Sequence, residues 1–159
     1  MNSLSLCGIS ETGTEEIGAI IANGLFPGAF IALYGELGAG KTTLARAIAR
    51  GAGIDDIQSP TFTIVREHRG GRYPLFHFDA YRVTSADELY DIGYGDYLTE
   101  NGVIIMEWCE NVPGALPQNR LDVKIVGSGN FPREISVEPH GADYLPILVM
   151  LKKLGTSLC

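Results

Sequence analysis

At 159 residues and 45% hydrophobic content the chain holds apolar material for one packed domain spanning 1–159 and too little for a second. A formal net charge of -7 works against the clustered Lys and Arg surface that phosphate-backbone binding needs, so direct binding of DNA or RNA is disfavoured. No stretch approaches the roughly 18–20 uninterrupted apolar residues of a membrane span, the start lacks a basic segment before an apolar one, and Cys7, Cys109 and Cys159, an odd set without CxxC spacing, read as free thiols of a cytoplasmic protein.

In chain order, Leu4 to Ile9 is a short strand, and Thr12 with Glu15 three residues on forms a capping box opening a helix whose Ile17, Ile20, Ile21 and Leu25 share one face. Pro27-Gly28 ends that helix. Ala29 to Tyr34 is a continuous apolar run, the pattern of a strand buried on both faces of a parallel sheet. Lys41 to Ala52 reads as the next helix, with Gly51 and Gly53 available to terminate it. Phe62 to Arg69 and Arg72 to Asp79 are strand-like runs around a Gly70-Gly71 turn, and Pro74 demands a bulge or edge near the start of the second. Ser85 with Glu88 forms a second capping box over a short helix limited by Gly93. Val103 to Met106 is another buried run. Leu121 to Val126 and Glu134 to Glu138 pair around a Gly-rich turn, and Tyr144 to Leu154 is a closing helix. The sum is an α/β fold: a mainly parallel central sheet flanked by helices, with a β-hairpin and a C-terminal antiparallel strand pair.

The strongest chemical signal is Gly35-Glu36-Leu37-Gly38-Ala39-Gly40-Lys41-Thr42, which matches G-x-x-x-x-G-K-[ST] between an expected strand and an expected helix. Glycines let consecutive backbone N–H groups turn toward one anion, and the helix N-terminus adds positive potential. In such a loop the lysine, here Lys41, reaches the β and γ phosphates and the Thr42 hydroxyl ligates magnesium. ATP and Mg2+ are therefore the expected ligands. The run Asn119-Arg120-Leu121-Asp122 superficially resembles a guanine-reading N-K-x-D, but it precedes a strand instead of following one.

A site of this kind needs a carboxylate at the end of a neighbouring buried strand. Glu107 ends Val103 to Met106 and Asp79 ends Leu75 to Phe78. Glu107 has the cleaner run and reads as the magnesium ligand, with Asp79 orienting the attacking water or the metal's hydration shell. His77, two residues before Asp79, reads as a structural residue or one that acts behind the site.

Four blocks in register, GELGAGKTTLARAI, SPTFTIV (59–65), HFDAYR (77–82) and IIMEWCE (104–110), make the chain resemble the TsaE (YjeE) family across about Ser10 to Glu110. That family is a P-loop ATPase required, with a carbamoyltransferase pair of TsaD and TsaB type, to form threonylcarbamoyladenosine at position 37 of tRNA. The resemblance implies Leu37, Gly38, Ala39, Gly40, Lys41 and Thr42 at the phosphates, Thr42 and Glu107 at magnesium, and Asp79 in hydrolysis. It also implies a switch-like segment at Ser59 to Phe62 with Thr61 near the nucleotide, a functional aromatic at Trp108, and nucleotide contacts from Glu11 and Arg133. On this reading tRNA is met through the partner complex, and turnover is slow until the partners are present.

Two alternatives remain open from sequence. A small-molecule kinase of similar size would want a mobile, Arg-rich lid, for which Arg66, Arg69 and Arg72 near the hairpin turn are the only support. A noncatalytic ATP-sensing module would use binding to order a surface for a partner.

Overall fold

The computed structural model describes residues 3–60 and 62–154, so Thr61 and Cys159 lie outside the described residues. Seven strands form one sheet: β1 (Leu4–Ile9), β2 (Phe30–Tyr34), β3 (Val65–His68), β4 (Leu75–Asp79), β5 (Val103–Glu107), β6 (Arg120–Val126) and β7 (Arg133–His140), in the order β1-β7-β6-β2-β5-β4-β3. The pairings β6–β2, β2–β5 and β5–β4 are parallel, and β1–β7, β7–β6 and β4–β3 are antiparallel. The sheet is thus mixed, which corrects the expectation of a mainly parallel one. The short β3–β4 and β6–β7 connections can only make antiparallel hairpins, because a parallel partner needs a long crossover. Sequence pattern anticipates both hairpins but does not reveal that β1 docks beside β7 and lengthens the antiparallel half.

The central strands are buried because both faces are covered. On one face α1 (Glu11–Asn23), α2 (Lys41–Gly51) and α5 (Leu145–Lys152) bring Ile17, Ile21, Leu44, Ile48, Ile147 and Leu151 against Ile31, Leu33 and Ile105. On the other, α3 (Ala86–Asp91) and α4 (Tyr94–Thr99) bring Leu89 and Tyr94 against Phe76, Phe78 and Met106. Apolar residues pointing to both sides of β2 and β5 explain why those strands read as unbroken hydrophobic runs, while β4 is interrupted by His77.

Several boundaries depart from expectation for local reasons. The cap of α1 is Ser10, not Thr12: its backbone is extended and its Oγ accepts from the Gly13 N–H at 3.1 Å. Ser85 does sit at the cap of α3, but its side chain makes no capping bond, and Glu88 instead accepts from the Thr84 N–H at 3.3 Å and from the Thr84 hydroxyl. The first hairpin strand begins only at Val65, since Ile64 at φ 68° bends the chain. The second begins after Pro74, which has no N–H to give a ladder. The short helix α4, which follows Gly93 at φ 93°, was not anticipated. Cys109 is a buried free thiol, whereas Cys7 is disulfide-bonded, contrary to the three-thiol reading. Pairing depends on Cα separations in the fold, which residue spacing does not disclose.

The helices α1 and α2 cross at glycine. A Cβ on Gly18 would lie 2.4 Å from the Ala47 Cβ, and one on Gly51 would lie 2.5 Å from the Ala22 Cβ. This crossing holds α2, and therefore Lys41 and Thr42 at its first turn, against the sheet. Gly18→Leu should destabilise the protein by about 1–3 kcal/mol in urea unfolding through overpacking, while a variant unchanged in stability would show that the crossing yields.

Candidate active site

The parallel register builds the site in rows. Leu33, Glu107 and Asp79 lie side by side at the carboxyl ends of β2, β5 and β4, with Val123 in the middle of β6 beside Leu33, and the loop from β2 to α2 opens next to Leu33. Ligands meet open α/β sheets at this edge. Gly38 and Gly40 in the loop have φ of 81° and 109°, a region open to glycine, and nothing lies within 4 Å of a Cβ placed on either. The space over the loop is therefore clear on that side, and α2 begins directly at Lys41.

Lys41 is only 5% exposed. Its Nζ donates to the carbonyl oxygens of Gly35 and Glu36, and it stands 3.8 Å from the centroid of the Trp108 ring. Burial holds its ammonium below the usual lysine range, opposed by the charges of Glu110, Glu107, Asp79 and Glu36. Trp108 reaches this position from a left-handed backbone, φ 62° and ψ 39°, and packs on Tyr81 with ring centroids 4.8 Å apart. The turn immediately after β5 throws the indole back over the loop.

Glu107 is 2% exposed. Its Oε1 accepts from the Thr42 hydroxyl at 3.0 Å, and its Oε2 lies 2.6 Å from His77 Nε2. Asp79 is less buried and accepts from the Tyr81 N–H at 3.0 Å through Oδ1. Glu110, which no sequence pattern singled out, accepts from the Gly35 N–H at 3.1 Å and steadies the start of the loop. Its relation to a residue 75 positions earlier leaves no local trace.

Two of the cavities bordering the loop take in the expected site residues. The larger, 690 Å3, is lined by Lys41, Thr42, Asp79, Glu107 and Trp108 together with Ser59 and Phe62. The smaller, 400 Å3, lies between Glu11, at the first turn of α1, and Arg133, at the start of β7. Gly38, Gly40 and Thr43 line both. Arg133 donates from Nε to the Ala39 carbonyl at 2.8 Å and from its terminal nitrogen to the Gly38 carbonyl at 3.2 Å, so the loop is clamped from the β7 side. Leu37 points outward and is 75% exposed. Of the residues expected at the nucleotide or the metal, all but Thr61, which is not described, line these two cavities or belong to the loop between them, whereas His77 lies behind Glu107 and the hairpin residues Arg66, Arg69 and Arg72 line neither cavity. The Asp122 carboxylate of the N-K-x-D-like run is taken up by Tyr34, Arg120 and His140.

A model of the family described as "Threonylcarbamoyl adenosine biosynthesis protein TsaE" matches residues 9–135. The chain belongs to the TsaE family. It is 39% identical over 145 residues to the tRNA threonylcarbamoyladenosine biosynthesis protein TsaE of Bacillus subtilis, covering 91% of this chain and 90% of that one. The protein of the same name from Treponema pallidum is 36% identical over 131 residues, 80% of this chain and 95% of that one. Among solved structures, the crystal structure of Bacillus subtilis YdiB superposes with a TM-score of 0.80 at 33% identity, covering 96% of this chain and 95% of that one. The matched region takes in the loop, both carboxylates and Arg133, and no helix among the described residues is long and apolar enough to cross a membrane.

Asp79 carries a readable electrostatic signature. Burial raises its carboxyl above the ordinary value of 3.8, the Tyr81 N–H works against this, and the Glu107 charge reinforces it. A carboxyl whose folded value is raised favours the folded state below the unfolded value and loses that contribution as pH rises through the folded one, so at neutral pH ionised Asp79 is a cost. Asp79→Asn keeps the oxygen that accepts from Tyr81. Without nucleotide and in EDTA, the variant should melt above the wild type at pH 7, with the gap closing as pH falls toward 3.8; a lower melting point at pH 7 would contradict this.

Proposed function

We propose that the chain is a Mg2+-dependent ATPase that serves threonylcarbamoyladenosine formation on tRNA as an accessory to TsaD- and TsaB-type carbamoyltransferase subunits in the cytoplasm. The observation that carries this reading is the Thr42–Glu107 hydrogen bond, which ties the phosphate loop to a strand-end carboxylate beside Lys41. A hydroxyl and a carboxylate are hard oxygen donors, the set that suits magnesium. Thr42 and Glu107 would hold Mg2+, whose charge would neutralise phosphate oxygens during transfer.

The chain's own groups supply the rest. The amides of Leu37 to Thr42 receive the β and γ phosphates, and the base and ribose enter the cavity between Glu11 and Arg133. Lys41 exchanges the Gly35 and Glu36 carbonyls for phosphate oxygens, a stronger partner for a partly desolvated ammonium. Trp108 covers it and excludes water. Asp79, with one oxygen free of hydrogen bonds among the described residues and a raised affinity for protons, orients the attacking water and accepts its proton. Ser59 and Phe62 border the γ side, where they would sense the phosphate and present a changed surface to the partners.

Two of the three arginines that would serve a kinase lid are engaged elsewhere. Arg69 is bound to Glu67 and Glu100, and Arg72 donates to the Ala22 and Gly51 carbonyls at the ends of α1 and α2. The test is steady-state ATP hydrolysis by the purified chain, alone and with the carbamoyltransferase subunits. Turnover should be slow alone, rise with the partners, and fall at least about a hundredfold in Lys41→Ala and in Glu107→Ala. Hydrolysis that survives both substitutions would refute the assignment.

A further inference from the structure

His77 stands where packing alone would place an aliphatic side chain. Its row across the sheet reads Leu121, Ile31, Ile105 and His77, one step below the row that carries Glu107 and Asp79. The first three belong to the apolar core under α1 and α2, and His77 itself is 0% exposed. A polar ring at such a position is costly unless it makes a bond that an aliphatic residue could not. His77 makes one, from Nε2 to Glu107 Oε2 at 2.6 Å, diagonally between β4 and β5.

The direction of that bond follows from its surroundings. An ionised carboxylate only accepts, so the ring hydrogen sits on Nε2. Nδ1 is buried with no hydrogen-bond partner among the described residues, which a bare acceptor tolerates better than an N–H donor does. One carboxylate oxygen is thereby held from behind while the other faces the Thr42 hydroxyl at 3.0 Å.

We propose that His77 is a positioning residue for the metal site: its Nε2–H fixes the Glu107 carboxylate so that Oε1 is presented, with the Thr42 hydroxyl, to the divalent cation of a bound nucleotide. This rests on the Mg2+-ATP reading above and divides the labour of the two carboxylates. Glu107, gripped on both oxygens and buried, serves the metal side. Asp79, bonded through one oxygen and more open, is left for the water. Carboxylates that ligate metals are themselves held by hydrogen bonds, and removing such a partner costs about 10–100-fold in metal affinity or activity.

The test is calorimetric titration with ADP, in EDTA and in excess Mg2+, of the wild type, His77→Gln and His77→Leu, reading the ratio of the two affinities. Glutamine retains an N–H donor of comparable reach; leucine fills the space and retains none. The wild type should gain affinity with magnesium, His77→Gln should keep that gain to within about threefold, and His77→Leu should lose at least about tenfold of it. A His77→Leu protein with the full magnesium gain overturns the proposal while leaving the Mg2+-ATP reading intact. A wild type that gains nothing from magnesium overturns the reading and the proposal together. Imidazole nitrogen NMR on the unaltered protein decides the matter even where His77→Leu does not fold, because the chain has only three histidines. The Nε2–H tautomer, with an Nε2 resonance that moves on adding Mg2+ with ADP but not ADP in EDTA, supports the proposal; an Nδ1–H tautomer or an Nε2 indifferent to magnesium refutes it.

Discussion

A carboxylate buried to 2% exposure must be surrounded by donors, and the site is organised around meeting that demand for Glu107. Two groups meet it from different elements. Thr42 comes from the first turn of α2, and His77 from the middle of β4. Each is in place only because something larger is: α2 because Gly18 lets it approach α1 closely, β4 because it runs parallel to β5 in a register that sets Asp79 beside Glu107. The carboxylate of one strand-end residue thus ties together the helix layer, the central sheet and the loop between β2 and α2.

The two halves of the mixed sheet do different work. The parallel strands β6, β2, β5 and β4 end at a common edge and bring the loop and both carboxylates to it. The antiparallel wing of β7 and β1 supplies the opposite side: Arg133 at the start of β7 holds the loop through two carbonyls, and Glu11 follows directly from the end of β1. Neutral hydrogen bonds contribute about 0.5–1.5 kcal/mol each, and bonds from a charged donor such as Arg133 more, so the clamp resists collapse of a loop rich in glycine. The main cavity lies over the parallel strands and the smaller one toward the antiparallel wing, with the loop as the ridge between them.

What could be read from sequence was local or periodic. The apolar runs of β2 and β5, the hairpin turns and the loop between strand and helix are short-range patterns, and strand logic alone brought forward Glu107 and Asp79 as edge residues. The departures have nonlocal causes. Ser10 outcompetes Thr12 as a cap because β1 ends immediately before it, and β1 pairs with β7, a strand more than a hundred residues away along the chain. Glu110 reaches back to Gly35 across the loop. His77 was recognisable as a polar residue in an apolar run, but its bond to Glu107 exists only once β4 and β5 are aligned side by side. The disulfide at Cys7 likewise depends on distances that spacing does not encode.

The most direct measurement is a crystal structure of this chain with Mg2+ and a nonhydrolysable ATP analogue. The account predicts phosphates on the amides of Leu37 to Thr42, Lys41 Nζ moved from the Gly35 carbonyl to phosphate oxygen, magnesium at Thr42 and Glu107, and the base between Glu11 and Arg133. A nucleotide bound elsewhere, with Lys41 still on Gly35 and the Thr42–Glu107 pair without metal, would contradict it.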